Sequence, residues 1–195
     1  MIDFLAVMLV AVGAGLGLLA LYLYFNPAPE NRPTWGFGFG ATALILAATA
    51  IPMIVTWPLP GSYNVAYGEP ALMFGALFTV AGLALVFRLD LLGPAIWGFF
   101  AGIAAVVVGW NIIGLKMSSS PWVAGLGFIL AGLGGILTLP AVGFKGQRWV
   151  SLLAAAVLAV GAIIFLYTGF LSYPGHMADF AKYVPAYMKA ATPSK

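Results

Sequence analysis

Leu92-Gly93-Pro94-Ala95-Ile96-Trp97-Gly98-Phe99-Phe100-Ala101-Gly102-Ile103-Ala104-Ala105-Val106-Val107-Val108-Gly109-Trp110-Asn111-Ile112-Ile113-Gly114 runs from one joint to the next without a charged side chain. At a helical rise of 1.5 Å per residue it is about 35 Å long, enough to cross the ~30 Å hydrocarbon core of a bilayer. Asp90 and Lys116 bracket it. The same pattern repeats along the chain, with apolar runs at about 3–25, 35–57, 67–88, 92–114, 121–143 and 148–171. Between them lie breaker-rich joints: Asn26-Pro27-Ala28-Pro29-Glu30-Asn31-Arg32-Pro33, Pro58-Leu59-Pro60-Gly61-Ser62-Tyr63-Asn64 and Ser118-Ser119-Ser120-Pro121. The pattern predicts an all-α membrane protein, a bundle of six transmembrane helices. Residues 1–171 form the transmembrane domain and 172–195 an interfacial tail.

Composition narrows the function classes. The 195 residues are 63% hydrophobic and 7% charged, against roughly a quarter charged in soluble domains. Eight Lys/Arg and five Asp/Glu give a net charge of +3, but the cations are scattered singly. No basic patch tracks a phosphate backbone, so nucleic acid is rejected as a partner and the lipid bilayer takes that place. The absence of cysteine excludes disulfides, thiolate metal sites and cysteine nucleophiles, and one histidine is too few to ligate haem or zinc. There is no paired-carboxylate, Ser/His/Asp or phosphate-loop pattern, so neither enzymatic activity nor a cofactor is expected. No charge lies mid-span, which argues against a proton pump or ion-coupled carrier. Met1-Ile2-Asp3-Phe4 lacks a basic n-region, so the first run is expected to be a retained span.

The joints also suggest an orientation. Arg32, Arg88, Lys145 and Arg148 fall on one side and only Lys116 in the loops of the other, so the positive-inside rule puts both termini outside the cytoplasm. All six tryptophans fall at or near span ends, as in an aromatic belt. Trp35-Gly36-Phe37-Gly38-Phe39-Gly40 and Trp122-Val123-Ala124-Gly125-Leu126-Gly127 open the second and fifth spans, and each run reaches a proline, Pro52 or Pro140, after a similar distance. That points to a 3+3 inverted repeat, with compositional coincidence among Gly-rich spans as the alternative. Small residues (Gly13 with Gly17, Gly36 with Gly40, Gly98 with Gly102, Gly127 through Gly135) predict close helix packing. The tail from about 175 to 190 has an apolar face and is expected to form a short interfacial helix, with a partly disordered tail as the alternative.

The polar residues on the outer side are the candidates for function. Glu69 stands at the mouth of the third span, just before Pro70. It is either a helix-entry carboxylate near a positive helix end or a pore-mouth acid that hydrogen-bonds a solute. Trp110 and Asn111 close the fourth span; the amide either lines a polar path or bonds a neighbouring helix. Trp57, Tyr63, Asn64 and Tyr67 lie on the same predicted side and would complete a vestibule around Glu69. Intraspan hydroxyls such as Thr138 and Thr168 are expected to bond back to their own helices.

The run from Thr56 to Pro70, with Trp57-Pro58-Leu59-Pro60-Gly61 and Tyr67-Gly68-Glu69-Pro70, resembles the signature of an uncharacterised family of small six-span prokaryotic membrane proteins. That resemblance implies the fold and no activity. A weaker one, to the urea channel and amide transporter family, rests on Tyr67-Gly68, Pro70-Ala71, Phe74-Gly75, Arg88-Leu89-Asp90, Leu139-Pro140 and Gly143-Phe144-Lys145. It implies a central path for small neutral amides in a homo-oligomeric ring. The chain departs from that family in having Glu69 inserted and no acidic residue in the sixth span. Two functions follow as expectations. One is a passive channel for a small neutral polar solute; the other is an accessory subunit packed among other membrane subunits.

Overall fold

A computed structural model describes residues 4–143 and 147–178. It contains α1 (Phe4–Phe25), a 3-10 turn (Pro29–Asn31), α2 (Arg32–Thr56), a π-helical turn (Asn64–Gly68), α3 (Glu69–Val86), α4 (Leu92–Gly114), α5 (Pro121–Gly143) and α6 (Arg148–Ala178). The six long helices are each long and apolar enough to cross a membrane, and no strand occurs among the described residues. This is the all-α six-helix bundle expected.

The element bounds differ from expectation where proline sits. α2 starts at Arg32 rather than 35, because Pro33 falls in its first turn, where a missing N–H leaves nothing unpaired. α6 continues past 171 through Pro174 to Ala178, and the Ser172 hydroxyl donates to the Thr168 carbonyl at 2.9 Å. Residues 172–178 therefore extend the last helix, and the remainder of the expected interfacial helix lies outside the described residues. Pro52 and Pro140 are both carried inside helices, α2 and α5. Thr49 and Thr138 bond back as expected, to Ile45 and Gly134 at 2.8 Å each, and Thr56, beside Trp57 on the predicted outer side, does the same to Pro52 at 2.7 Å.

Each helix packs on its neighbours in sequence and α6 returns to α1, so the six close into a ring. The most extensive interfaces are α4 with α5, α1 with α6 and α2 with α3; within the ring, α3 with α4 is the slightest. The two halves are unequal, since α4 lies more fully on α5 than α1 does on α2.

Glycine explains the tight seams. Lipid tails are as apolar as leucine, so helices in a membrane are held by close van der Waals contact. A Cβ on Gly102 would sit 2.5 Å from the Gly132 carbonyl oxygen, and one on Gly109 would sit 2.6 Å from that of Gly125. α4 and α5 thus touch backbone to backbone. Gly36 and Gly82 do the same between α2 and α3, at 2.7 and 3.0 Å from each other's carbonyl oxygens. On α1, Gly13 lies under Leu166 of α6, its Cβ position 2.7 Å from Cγ. Gly40 meets open space instead.

The α1–α6 seam has a polar clasp as well. Arg148, the first residue of α6, donates from Nη1 to the Leu23 carbonyl at 2.8 Å and from Nη2 to the Tyr24 carbonyl. These acceptors belong to the last turn of α1, whose carbonyls lack intrahelical donors, and a cation there also meets the negative end of the helix dipole.

Gly132→Leu should therefore lower stability by roughly 2–3 kcal/mol or more through overpacking. Gly40→Ala should stay within about 1 kcal/mol of the parent, on the stabilising side, because alanine is the better helix former. Equilibrium unfolding by SDS titration in mixed micelles separates the two. Equal losses at both positions would refute backbone contact as the basis of the seam.

Candidate functional site

The α2–α3 joint builds one end of the molecule. Pro58-Leu59-Pro60-Gly61 cannot continue a helix, and Asn64 folds the segment back on itself. The Asn64 side chain is fully buried. Its Oδ1 accepts the Leu59 N–H at 3.0 Å, and its Nδ2 donates to the Leu59 carbonyl at 2.5 Å and the Gly61 carbonyl at 3.5 Å. The amide thus pairs with one residue's backbone as a neighbouring peptide group would. The π-helical turn follows, and it presents Tyr63 and Tyr67 stacked, with ring centroids 6.3 Å apart. Tyr67 donates its hydroxyl to the Met117 carbonyl at 3.2 Å, tying this joint to the one between α4 and α5. Its ring meets Phe128 edge to face at 5.6 Å, and Phe128 meets Phe165 in the same way at 5.2 Å.

These contacts frame a cavity of about 300 Å³ at the end of the ring where α1 and α5 begin and α6 finishes. Hydroxyls of Tyr63, Tyr67, Ser118, Ser119, Thr168 and Ser172 line it, over apolar walls from Leu5, Leu9, Phe128 and Phe165. Thr168 donates to the Ile164 carbonyl at 2.8 Å, so into the cavity it offers lone pairs. No charged side chain is among the described lining residues.

A second cavity, of about 620 Å³, opens at the opposite end, lined by Arg32, Arg88, Asp90, Gln147, Arg148 and Ser151 among others. It shares Tyr22, Leu23, Leu85, Leu91 and Val142 with a small apolar cavity of about 40 Å³ that reaches inward to Phe39 and Phe78. Between that inner cavity and the hydroxyl-lined one the axis is filled by buried apolar side chains, including Val12, Leu16, Ala131 and Leu158.

Of the seven residues singled out in the sequence, the structure brings Tyr63 and Tyr67 together in the hydroxyl-lined cavity. Asn64 lies beside them but has its amide committed to Leu59. The other four lie elsewhere. Trp57 is exposed at the left-handed end of α2, and Glu69 is exposed at the first position of α3. Trp110 is exposed on α4, and Asn111 donates to the Val107 carbonyl of its own helix at 2.8 Å. None of the four lines either end cavity. Sequence reasoning did not name Ser118, Ser119, Thr168 and Ser172 as lining residues: it read Ser118 and Ser119 as a turn and Thr168 as bonded to its own helix, which it is. One signal was available: hydroxyls gather at the ends of three spans that all finish on the same side. Among the described residues no group of His, Cys, Asp and Glu is placed to hold a metal ion.

Asn64→Ala should cost about 1–3 kcal/mol, because it strands the buried Leu59 N–H and carbonyl. Asn111→Ala, on an exposed helix face, should stay within about 0.5 kcal/mol. Thermal unfolding in detergent distinguishes them, and a neutral Asn64→Ala would exclude the clamp.

Residues 1–179 match the model of a family described as a protein of unknown function, DUF981. No curated protein and no solved structure matches the chain. The first resemblance drawn from the Thr56–Pro70 run is thus supported by the family match, and the likeness to urea channels is not.

Proposed function

The chain belongs to this family of unknown function, and we propose that it is a passive membrane pathway for a small uncharged polar solute, amide-like or alcohol-like, running along the axis of the helix ring. One observation carries the reading: cavities lie at opposite ends of the ring, and the one between the starts of α1 and α5 and the end of α6 offers hydroxyls and, among the described residues, no charge. Hydroxyl donors and acceptors can replace a neutral solute's water without binding an ion. Along α1 the apolar barrier runs from Leu9 to Leu19, roughly 15 Å at helical rise. A polar solute in a dry stretch of that length leaves donors unpaired at several kcal/mol each. The conformation described is therefore the closed one, and conduction requires Leu16 and Leu158 to move. The arginine-bearing end faces the cytoplasm by the positive-inside rule, which puts the hydroxyl-lined cavity outside.

A specific observation also favours the accessory-subunit reading: between the hydroxyl-lined cavity and the inner apolar one lie only buried apolar side chains among the described residues, Val12, Leu16, Ala131 and Leu158 included. Stopped-flow swelling of proteoliposomes with urea, acetamide and glycerol decides between them. The channel reading expects permeability above protein-free vesicles for at least one solute, raised severalfold by Leu158→Ala in protein shown to remain folded. Glu69→Gln, outside both cavities, should leave that flux unchanged. No permeability for any solute, together with co-purification of unrelated subunits in mild detergent, would replace the channel with the accessory role.

A further inference from the structure

The arginine-lined cavity is built from three separate joints. Arg32 comes from the first turn of α2, Arg88 from the α3–α4 joint and Arg148 from the first turn of α6. Facing them among the described lining residues is a single carboxylate, Asp90, whose Oδ1 already accepts the Leu92 N–H at 2.6 Å. Arg32 Nε donates to the Pro27 carbonyl at 3.3 Å, and Arg148 to the carbonyls of Leu23 and Tyr24. Neutral carbonyls thus hold two of the guanidiniums in place without cancelling their charge. The cavity keeps an excess of positive charge, with N–H donors left over.

The backbone fixes where Arg88 starts from. It stands at φ +58° in the left-handed position that ends α3, where its N–H bonds the Leu85 carbonyl at 3.2 Å and the Leu89 N–H bonds that of Ala84 at 2.7 Å. Glycine is the residue that fits this cap without strain. Asn26, Trp57 and Lys116 hold the same conformation at other helix ends, so what sets Arg88 apart is a cationic side chain that lines the cavity.

The cavity is also amphipathic. Its inner wall of Leu85, Leu91 and Val142 is shared with the small apolar cavity, which continues to Leu77, Pro94 and Ala95. Those last residues lie on α3 and α4, whose mutual packing is the slightest in the ring. A free anion would use only the arginine end, whereas an amphiphile would also use the apolar surface of the loosely packed α3–α4 seam, which the inner cavity of about 40 Å³ only begins.

The geometry points to a seat for one anionic phospholipid, its phosphate diester held by Arg32, Arg88 and Arg148 and an acyl chain lodged along the α3–α4 seam. Guanidinium forks match phosphate oxygens in charge and shape, and basic pockets between membrane helices suit anionic headgroups. The seat lies at the arginine-bearing end of the proposed solute path, but it rests on the guanidiniums and is read out by lipid binding, without flux.

Native mass spectrometry and thermal unfolding of the full chain in neutral detergent test it, with phosphatidylglycerol, phosphatidylcholine, glycerol phosphate and inorganic phosphate as probes. The expected result is one tightly retained phosphatidylglycerol and a raised Tm, with phosphatidylcholine and both soluble phosphates giving little. Arg88→Gln, an exposed position, should weaken phosphatidylglycerol binding by about tenfold while leaving the lipid-free Tm unchanged. Equal retention of phosphatidylcholine, or undiminished binding by Arg88→Gln, would overturn the site. Full reproduction of the Tm rise by glycerol phosphate or inorganic phosphate would overturn the lipid assignment in favour of a soluble anion.

Discussion

Backbone contact between α4 and α5 is the constraint on which the rest of the bundle depends. Helices surrounded by lipid gain nothing from leaving water, so only close approach holds them. Gly102 against Gly132 and Gly109 against Gly125 allow that approach along most of both helices. The α2–α3 pair repeats the solution with Gly36 and Gly82. With two hairpins this tight, the seam between them, α3 against α4, is the loosest in the ring. There Trp97 spans the gap by donating its indole N–H to the Met73 carbonyl at 3.2 Å.

The same physics divides the molecule along its axis. In the middle, backbone groups are satisfied within each helix and threonines bond back to their own turns, so large apolar side chains can fill the centre without orphaned polar atoms. At the ends, where helices run out of internal partners, side chains take over. Asn64 replaces a peptide neighbour for Leu59, Tyr67 reaches the Met117 carbonyl, and Arg148 covers the last carbonyls of α1. The polar chemistry of this protein therefore sits where its helices stop.

Much of this was legible in the sequence, and the boundary of legibility has a physical cause. Run length and breaker residues located all six helices, with shifts where Pro33 and Pro174 are accommodated inside helices. Tyr63 and Tyr67 were legible because their joint is short and polar. The orientation of Glu69 and Asn111 was not. Helices that are apolar all round carry no polar stripe to show which face turns inward, so a lone polar residue can point either way. Glycine spacing was the better guide at Gly36 and Gly102, but it also nominated Gly40, which has nothing against it. The hydroxyls of Ser118 and Thr168 were hidden for a different reason, since they line one cavity with Tyr67 only after three remote segments converge.

Closure of the ring by Arg148 has a consequence for biogenesis. Its partner Leu23 lies 125 positions earlier in the chain. The α2–α3 and α4–α5 hairpins join consecutive helices and can assemble as they leave the insertion machinery. α1 cannot, because its most extensive partner and its terminal clasp both belong to α6, which is made after the other five. Until α6 arrives, the face of α1 around Gly13 borders lipid or another protein, so assembly of this bundle ends where its synthesis began.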